Sequence, residues 1–264
     1  MKPTRASAWA WLWAILGALY FFVPLYGTLD FSLRMERDKI GFLAYQTVLS
    51  DPEFLTSFAF SLRMAAITIV VSIALFVPTV YWIHLRLPKL RPVVELITLL
   101  PFIIPTIVLV FGLIRTFSRQ PFLLTMTPLG TDVLLVSGYV ILSMPYMYRA
   151  VDVGLRAIDV HTLTEAALSL GASWTDVVLR VIVPNLRVAI LSGALITFAT
   201  VIGELILADF LVRPAFGPYM VVIGESRAYE PAALGILSFG ITWVAMGLIQ
   251  FFARGDSGRQ VTVR

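Results

Sequence analysis

Six apolar runs of roughly twenty residues each divide this sequence, and no other feature limits its fold as tightly. A helix rises about 1.5 Å per residue, so about 20 mostly apolar residues cross the hydrocarbon core of a bilayer. The runs read as Ala8 to Leu29, Phe58 to Ile83, Val93 to Phe117, Thr131 to Tyr148, Val188 to Val212 and Ala232 to Ala253. Hydrophobic residues make up 59% of the 264 and charged residues only 14%, more apolar matter than a water-soluble domain of this length buries. The expectation is an all-α integral membrane protein of about six transmembrane helices, one domain over residues 1–264. The first run follows Lys2 and Arg5, but its length and the lack of a small-residue cleavage site read as a retained helix rather than a signal peptide.

Loop charge gives an orientation. With the N-terminus inside, twelve Lys and Arg fall on inner segments and eight on outer ones, where acids such as Asp30, Glu36, Asp38, Asp51 and Glu53 dilute them. Both termini are therefore expected in the cytoplasm, with Gly255 to Arg264 a loose polar tail. The net charge of +4 comes from basic residues scattered singly between apolar runs, which fits membrane topology and not nucleic-acid binding. The chain has no cysteine, which removes disulfides, thiolate metal sites and cysteine nucleophiles. His84 and His161 are too far apart in sequence to suggest a metal pair.

Prolines stand in or beside the spans at Pro24, Pro78, Pro101, Pro105 and Pro145. Pro101 and Pro105 are expected to bend the third span, as a packing kink or as a gating hinge. The tyrosines and tryptophans near span ends, including Trp9, Trp11, Trp13, Tyr81, Tyr139 and Tyr148, fit interfacial belts.

The longest inner segment, about Arg149 to Arg187, contains HTLTEAALSLGASWTDVVLRVIVPNL. Thr162 with Glu165 fits a capping box, while Asp159 can cap one turn earlier; helix formers then run to a break at Gly171. Ser173 with Asp176 forms a second box, opening a helix that Pro184 does not let run far. The segment from 159 to 184 thus reads as helix, glycine corner, helix at the membrane surface.

Here the chain resembles the permease subunits of binding-protein-dependent ABC importers. Their loop carries EAA, three residues and a glycine, then an isoleucine and a leucine–proline pair roughly a dozen residues on. Glu165, Ala166, Ala167, Gly171, Ala172, Ile182 and Pro184 fall on that pattern, with Val183 in place of the leucine. The resemblance implies a type I importer fold in a bacterial inner membrane, with the two short helices docking on a separate ATPase. Small alanines allow close approach, Gly171 supplies a permissive corner, and Glu165 offers a carboxylate to a basic partner group. Glu165 capping its own helix is the competing role, and the two are compatible.

YFFVPLY, LLPFIIPTIVLVFGL and GELILADFL resemble the polyamine, iron and thiamine branch of that family, which implies a small cation such as a polyamine as substrate. Iron, thiamine, phosphonate and carbohydrate permeases are the alternatives. Gly203-Glu204 stands where some polyamine-type members carry an Asp-Glu pair. The resemblance further implies an ATP-binding subunit dimer holding ATP and magnesium, an extracytoplasmic substrate-binding protein, and a second permease, preferably a different one. No cofactor is expected on this chain, which lacks GxxxxGK[ST].

Glu204 and Asp209 are acids inside the fifth apolar run, where ionisable groups normally face protein or water. On one helix they would stand about 140° apart. They read as substrate-pathway residues, or as a solvated Asp209 and a structurally hydrogen-bonded Glu204. An intramembrane enzyme is the rival class, but the spans hold neither a GxSxG elbow nor an HExxH pair.

Overall fold

The computed structural model describes residues 8–36 and 39–254; Lys2, Arg5 and the tail Gly255 to Arg264 lie outside them. In chain order the helices are α1 (Ala8–Ser32), α2 (Leu43–Leu49), α3 (Pro52–Arg86), α4 (Arg91–Ile103), α5 (Thr106–Phe117) and α6 (Pro128–Arg156). Then come α7 (Val160–Ser169), α8 (Trp174–Asn185), α9 (Arg187–Ile202), α10 (Ile206–Phe210), α11 (Phe216–Ser226) and α12 (Glu230–Arg254). No strand occurs among the described residues.

Three of these helices, α1, α3 and α6, are long and apolar enough to cross a membrane singly, and two bent pairs raise the number to five. The 25-residue α12 adds an apolar stretch over Glu230–Val244. The helix-rich, lipid-suited fold is as expected. Two spans are not single helices.

The third is broken into α4 and α5, which meet at 100°. Pro105 supplies no amide hydrogen and clashes with a helical residue before it, so Ile104 is driven to an extended φ of −88° and ψ of 117°. Pro101 sits inside α4 without ending it, so the break belongs to Pro105.

The fifth does not run from Val188 to Val212. It stops at Ile202, and the chain bends through Gly203, Glu204 and Leu205 before the one-turn helix α10. The inner segment is also shorter than expected, because α6 continues to Arg156 and carries Arg149 with it.

The described residues fall into two compact units, one within 8–55 and 220–243 and the other within 56–219 and 244–254. In the first, Phe31 of α1 stacks on Tyr229 with ring centroids 4.7 Å apart, and Ser32 and Tyr45 share a hydroxyl hydrogen bond of 2.7 Å. Trp9, Trp11, Trp13 and Tyr20 stay largely exposed on α1, a helix apolar on every side, as a membrane-spanning helix can be.

In the second unit α6 is the axis. It packs on α9 through a seam of small residues: a methyl group on Gly154 would lie 2.7 Å from the Ala189 Cβ, and one on Gly193 would lie 2.8 Å from Met147 Sδ. Such close approach is how helices associate where lipid removes the hydrophobic drive.

Two apolar cores flank this seam. One joins Val77, Tyr81, Met147 and Val151 to Val160, Val177 and Ile182 of the loop helices. The other joins Phe60, Met64, Val110, Leu134 and Tyr139 to Leu207 and Leu211. Tyr81, Tyr139 and Tyr148 are therefore buried core residues, not members of an interfacial belt.

Candidate functional site

The chain between α6 and α9 builds a compact two-helix unit. Asp159 is the N-cap of α7: its carboxylate accepts from the Thr162 amide at 3.1 Å and from the Thr162 hydroxyl at 2.8 Å. Those bonds hold the Asp159 carboxyl below the ordinary carboxylate range. The expected Thr162–Glu165 box does not form, because Thr162 is already spent on Asp159. Glu165 is exposed and makes no hydrogen bond or ion pair with any described residue.

Gly171 turns the corner. At φ +83° it occupies the left-handed region that costs a side-chain-bearing residue about 1–2 kcal/mol. Its amide donates to Leu168 O at 3.0 Å and the Ala172 amide to Ala167 O at 3.1 Å, which together satisfy two of the last carbonyls of α7. Leu170, just before the corner, is 89% exposed.

Ser173 and Asp176 then form the expected reciprocal box, with the Asp176 amide donating to Ser173 Oγ at 3.2 Å and the Ser173 amide to Asp176 at 3.3 Å. The Ser173 hydroxyl bond also lowers the Asp176 carboxyl pKa. From Val177 to Ile182 the helix is wound as a π-helix, and a bend of 77° separates α8 from α9.

The seven motif residues therefore divide. Glu165 and Ala166 in the middle of α7 and Gly171 at the corner are exposed, as is Pro184 near the far end of α8. Ala167, Ala172 and Ile182 turn inward, Ile182 fully buried and the two alanines packed on the same core. Thr164 of α7 shares a buried hydrogen bond of 2.9 Å with the Tyr81 hydroxyl of α3.

Sequence reasoning missed the charge cluster close to where α6 enters this unit. Asp152 on α6, only 5% exposed, meets His84 Nε2 at 2.7 Å, Arg91 Nη2 at 2.9 Å and Arg156 Nη2 at 2.7 Å. Glu95 on α4 meets the same Arg156 nitrogen at 3.0 Å. A buried charge is tolerated only when paired and hydrogen-bonded, and here three helices supply the partners. The signal in the sequence was an acid on the buried stripe of α6, four residues before an arginine.

Glu204 and Asp209 are not five residues apart on one helix. Glu204 lies in the bend, where both carboxylate oxygens accept from the Leu207 amide at 3.0 Å and face the Ile206 and Ala208 amides. It lines a cavity of about 400 Å³ with Phe102, Tyr146, Thr106 and Thr200. Asp209, on α10, is exposed. A further ionic site joins Asp132 to Arg213 at 2.7 Å and Arg63 at 3.8 Å, and both guanidiniums lie over the Phe60 ring. Arg63 and Arg213 thus share one acid.

Helices long and apolar enough to span a membrane, some broken and some not, with a capped two-helix loop between α6 and α9, define a multi-pass membrane protein. Residues 81–255 match the family of binding-protein-dependent transport system inner membrane components, and the chain belongs to that family.

Relatives include the probable sulfate transport system permease protein of Prototheca wickerhamii, 27% identical, covering 72% of this chain and 76% of its own. The spermidine/putrescine permease PotB of Haemophilus influenzae is 26% identical over 80% of this chain and 77% of its own. A probable molybdenum ABC transporter permease of Haloferax volcanii is 28% identical over 70% and 66%.

Among solved structures, a bacterial ABC transporter for import of the acidic polysaccharide alginate superposes with a TM-score of 0.71 at 15% identity, covering 92% of this chain and 93% of that one. The same transporter in complex with its periplasmic protein matches equally, with a TM-score of 0.71 at 16% identity over 93% of both chains. This chain is thus a multi-pass, non-catalytic permease subunit of an ABC importer.

Proposed function

We propose that residues 159–184 dock on a separate ATP-hydrolysing subunit and convert its closure into movement of the spanning helices. The carrying observation is the division of the loop into an exposed side, with Glu165 uncommitted, and a buried side fastened to the bundle. A carboxylate held free on the exposed side of a capped helix is suited to a charge-assisted bond with a basic group of a partner. The loop lies on the cytoplasmic side, with both termini, and the ATPase dimer supplies the nucleotide chemistry with its ATP and magnesium.

A second permease, a different one, completes the path, and a binding protein delivers substrate to the outer face. The substrate is a small cation such as a polyamine. Its path passes the Glu204 cavity, where a half-buried carboxylate and the rings of Phe102 and Tyr146 combine charge with π faces. The relatives' names span sulfate, spermidine, putrescine and molybdenum, so the cavity chemistry and not the relatives carries the choice of a cation.

The test is co-purification with the ATP-binding subunits and substrate-stimulated ATP hydrolysis. Glu165→Ala and Gly171→Pro should weaken both, and unchanged values for the two variants refute the docking loop. Glu204→Gln should lower uptake of a polyamine while sparing assembly. Undiminished uptake removes Glu204 from the path.

A further inference from the structure

The docking loop is joined covalently to α6 and α9, yet both of its helices are also held by one turn of a third helix that is remote in sequence. Tyr81 of α3 takes α7 through Thr164, with both residues buried. One residue on, Trp82 meets Trp174 of α8 edge to face, with centroids 5.5 Å apart and planes at 71°. One turn further, the Arg86 guanidinium lies 5.7 Å from the centroid of the same Trp174 ring. Trp174 is the first residue of α8, directly after the Ser173 cap that fixes where this helix starts.

Nothing in the motif requires a tryptophan there. Trp174 is 40% exposed and Trp82 is 44% exposed, so these rings are not core filling, and their contact is specific in geometry. Pro78 stands inside α3 just before this turn and removes one backbone hydrogen bond, so the end of α3 is the part of that helix best able to swing as a piece.

We propose that the end of α3 is a second, non-covalent output of the docking loop, and that Trp174, clamped by Trp82 and Arg86, is the positioning residue that transmits loop displacement to it. This rests on the docking role of residues 159–184. With the clamp intact, displacement of α7 and α8 carries α3 along with α6 and α9. Without it, the loop moves and α3 lags.

The absence of cysteine gives a clean test. In the assembled transporter in liposomes, Trp82→Ala, which removes the ring on α3 and leaves residues 159–184 unaltered, should leave ATPase co-purification and basal ATP hydrolysis intact. Substrate moved per ATP should fall about threefold or more, the effect of substitutions along a coupling network. Trp82→Phe, which keeps a ring for Trp174, should recover most of the loss.

The double variant Trp82→Cys/Trp174→Cys should couple poorly when reduced and regain coupling when a short bifunctional thiol reagent joins the two positions. An unchanged transport-to-ATP ratio in Trp82→Ala, or a cross-link that abolishes transport, overturns the proposal. So does loss of co-purification in Trp82→Ala, because the Trp82 ring would then act on docking and not on coupling. Failure of the docking reading itself shows separately, as wild-type co-purification that persists when residues 165–171 are altered.

Discussion

Arg91 donates to Asp152 at 2.9 Å across a separation of 61 residues, and the same carboxylate holds His84 and Arg156. One acid therefore ties α3, α4 and α6 together close to where α6 enters the two-helix loop. Asp152→Ala leaves His84, Arg91 and Arg156 without their shared carboxylate, with Glu95 the one acid still beside the two arginines. Removing one member of a buried ionic group costs about 3–5 kcal/mol, and the lower end applies here because Arg156 is half exposed. Thermal unfolding in detergent should show a large fall in melting temperature. Arg91→Ala added to Asp152→Ala should cost little more than Asp152→Ala alone, since the two share one interaction.

The α6–α9 seam yields an opposed pair. Gly154→Ala places a methyl group 2.7 Å from the Ala189 Cβ, so the helices must part, at about 1–3 kcal/mol. Gly235→Ala, on α12, meets nothing within 4 Å and exchanges glycine for the best helix former, for a gain of about 0.8–1 kcal/mol. Melting temperatures of the two variants should move in opposite directions.

Gly171 isolates backbone strain from crowding, because a methyl group there meets nothing within 4 Å while φ stays at +83°. Gly171→Ala should destabilise the corner by about 1–2 kcal/mol, and Gly171→Asn by less. Amide exchange across residues 160–176 reads this out. Faster exchange in the alanine variant than in the asparagine variant is the expected order.

Asp159 and Asp176 both titrate below their ordinary value because their ionised forms accept hydrogen bonds at helix starts. A carboxyl depressed in the folded state stabilises the fold above its unfolded pKa, and that contribution disappears as pH falls through the folded value. The loop helices should therefore hold their amide protection from neutral pH down to the ordinary carboxylate range near 3.8 and lose it in more acid solution. Asp159→Asn keeps a capping oxygen and should remove the part of the pH dependence that belongs to α7.

The parts of this fold that were legible in sequence are those set by neighbours in the chain. Gly171, Ser173 with Asp176, and Pro105 each act within a few residues, so corner, second cap and break stand where spacing put them. Asp159 and Glu165 competed for one turn, and only geometry decides which carboxylate reaches Thr162. Asp152 was invisible because its partners His84 and Arg91 lie 68 and 61 residues away. The structural hydrogen bond of Glu204 is as one of its two readings had it, and only its place within a continuous span was wrong. A glycine beside a carboxylate able to cap a new helix ends the span, and an apolar run by itself does not reveal that.

The central claim is that the tip of residues 159–184 faces the ATP-binding subunit. Because the chain has no cysteine, Leu170→Cys and Val212→Cys place single thiols at two highly exposed positions, 89% and 85% exposed, one at the corner and one between α10 and α11. In the assembled transporter, a short thiol-to-amine reagent should join position 170 to the ATP-binding subunit and leave position 212 unjoined to it. Absence of that product at 170, or equal yields from both positions, contradicts the account.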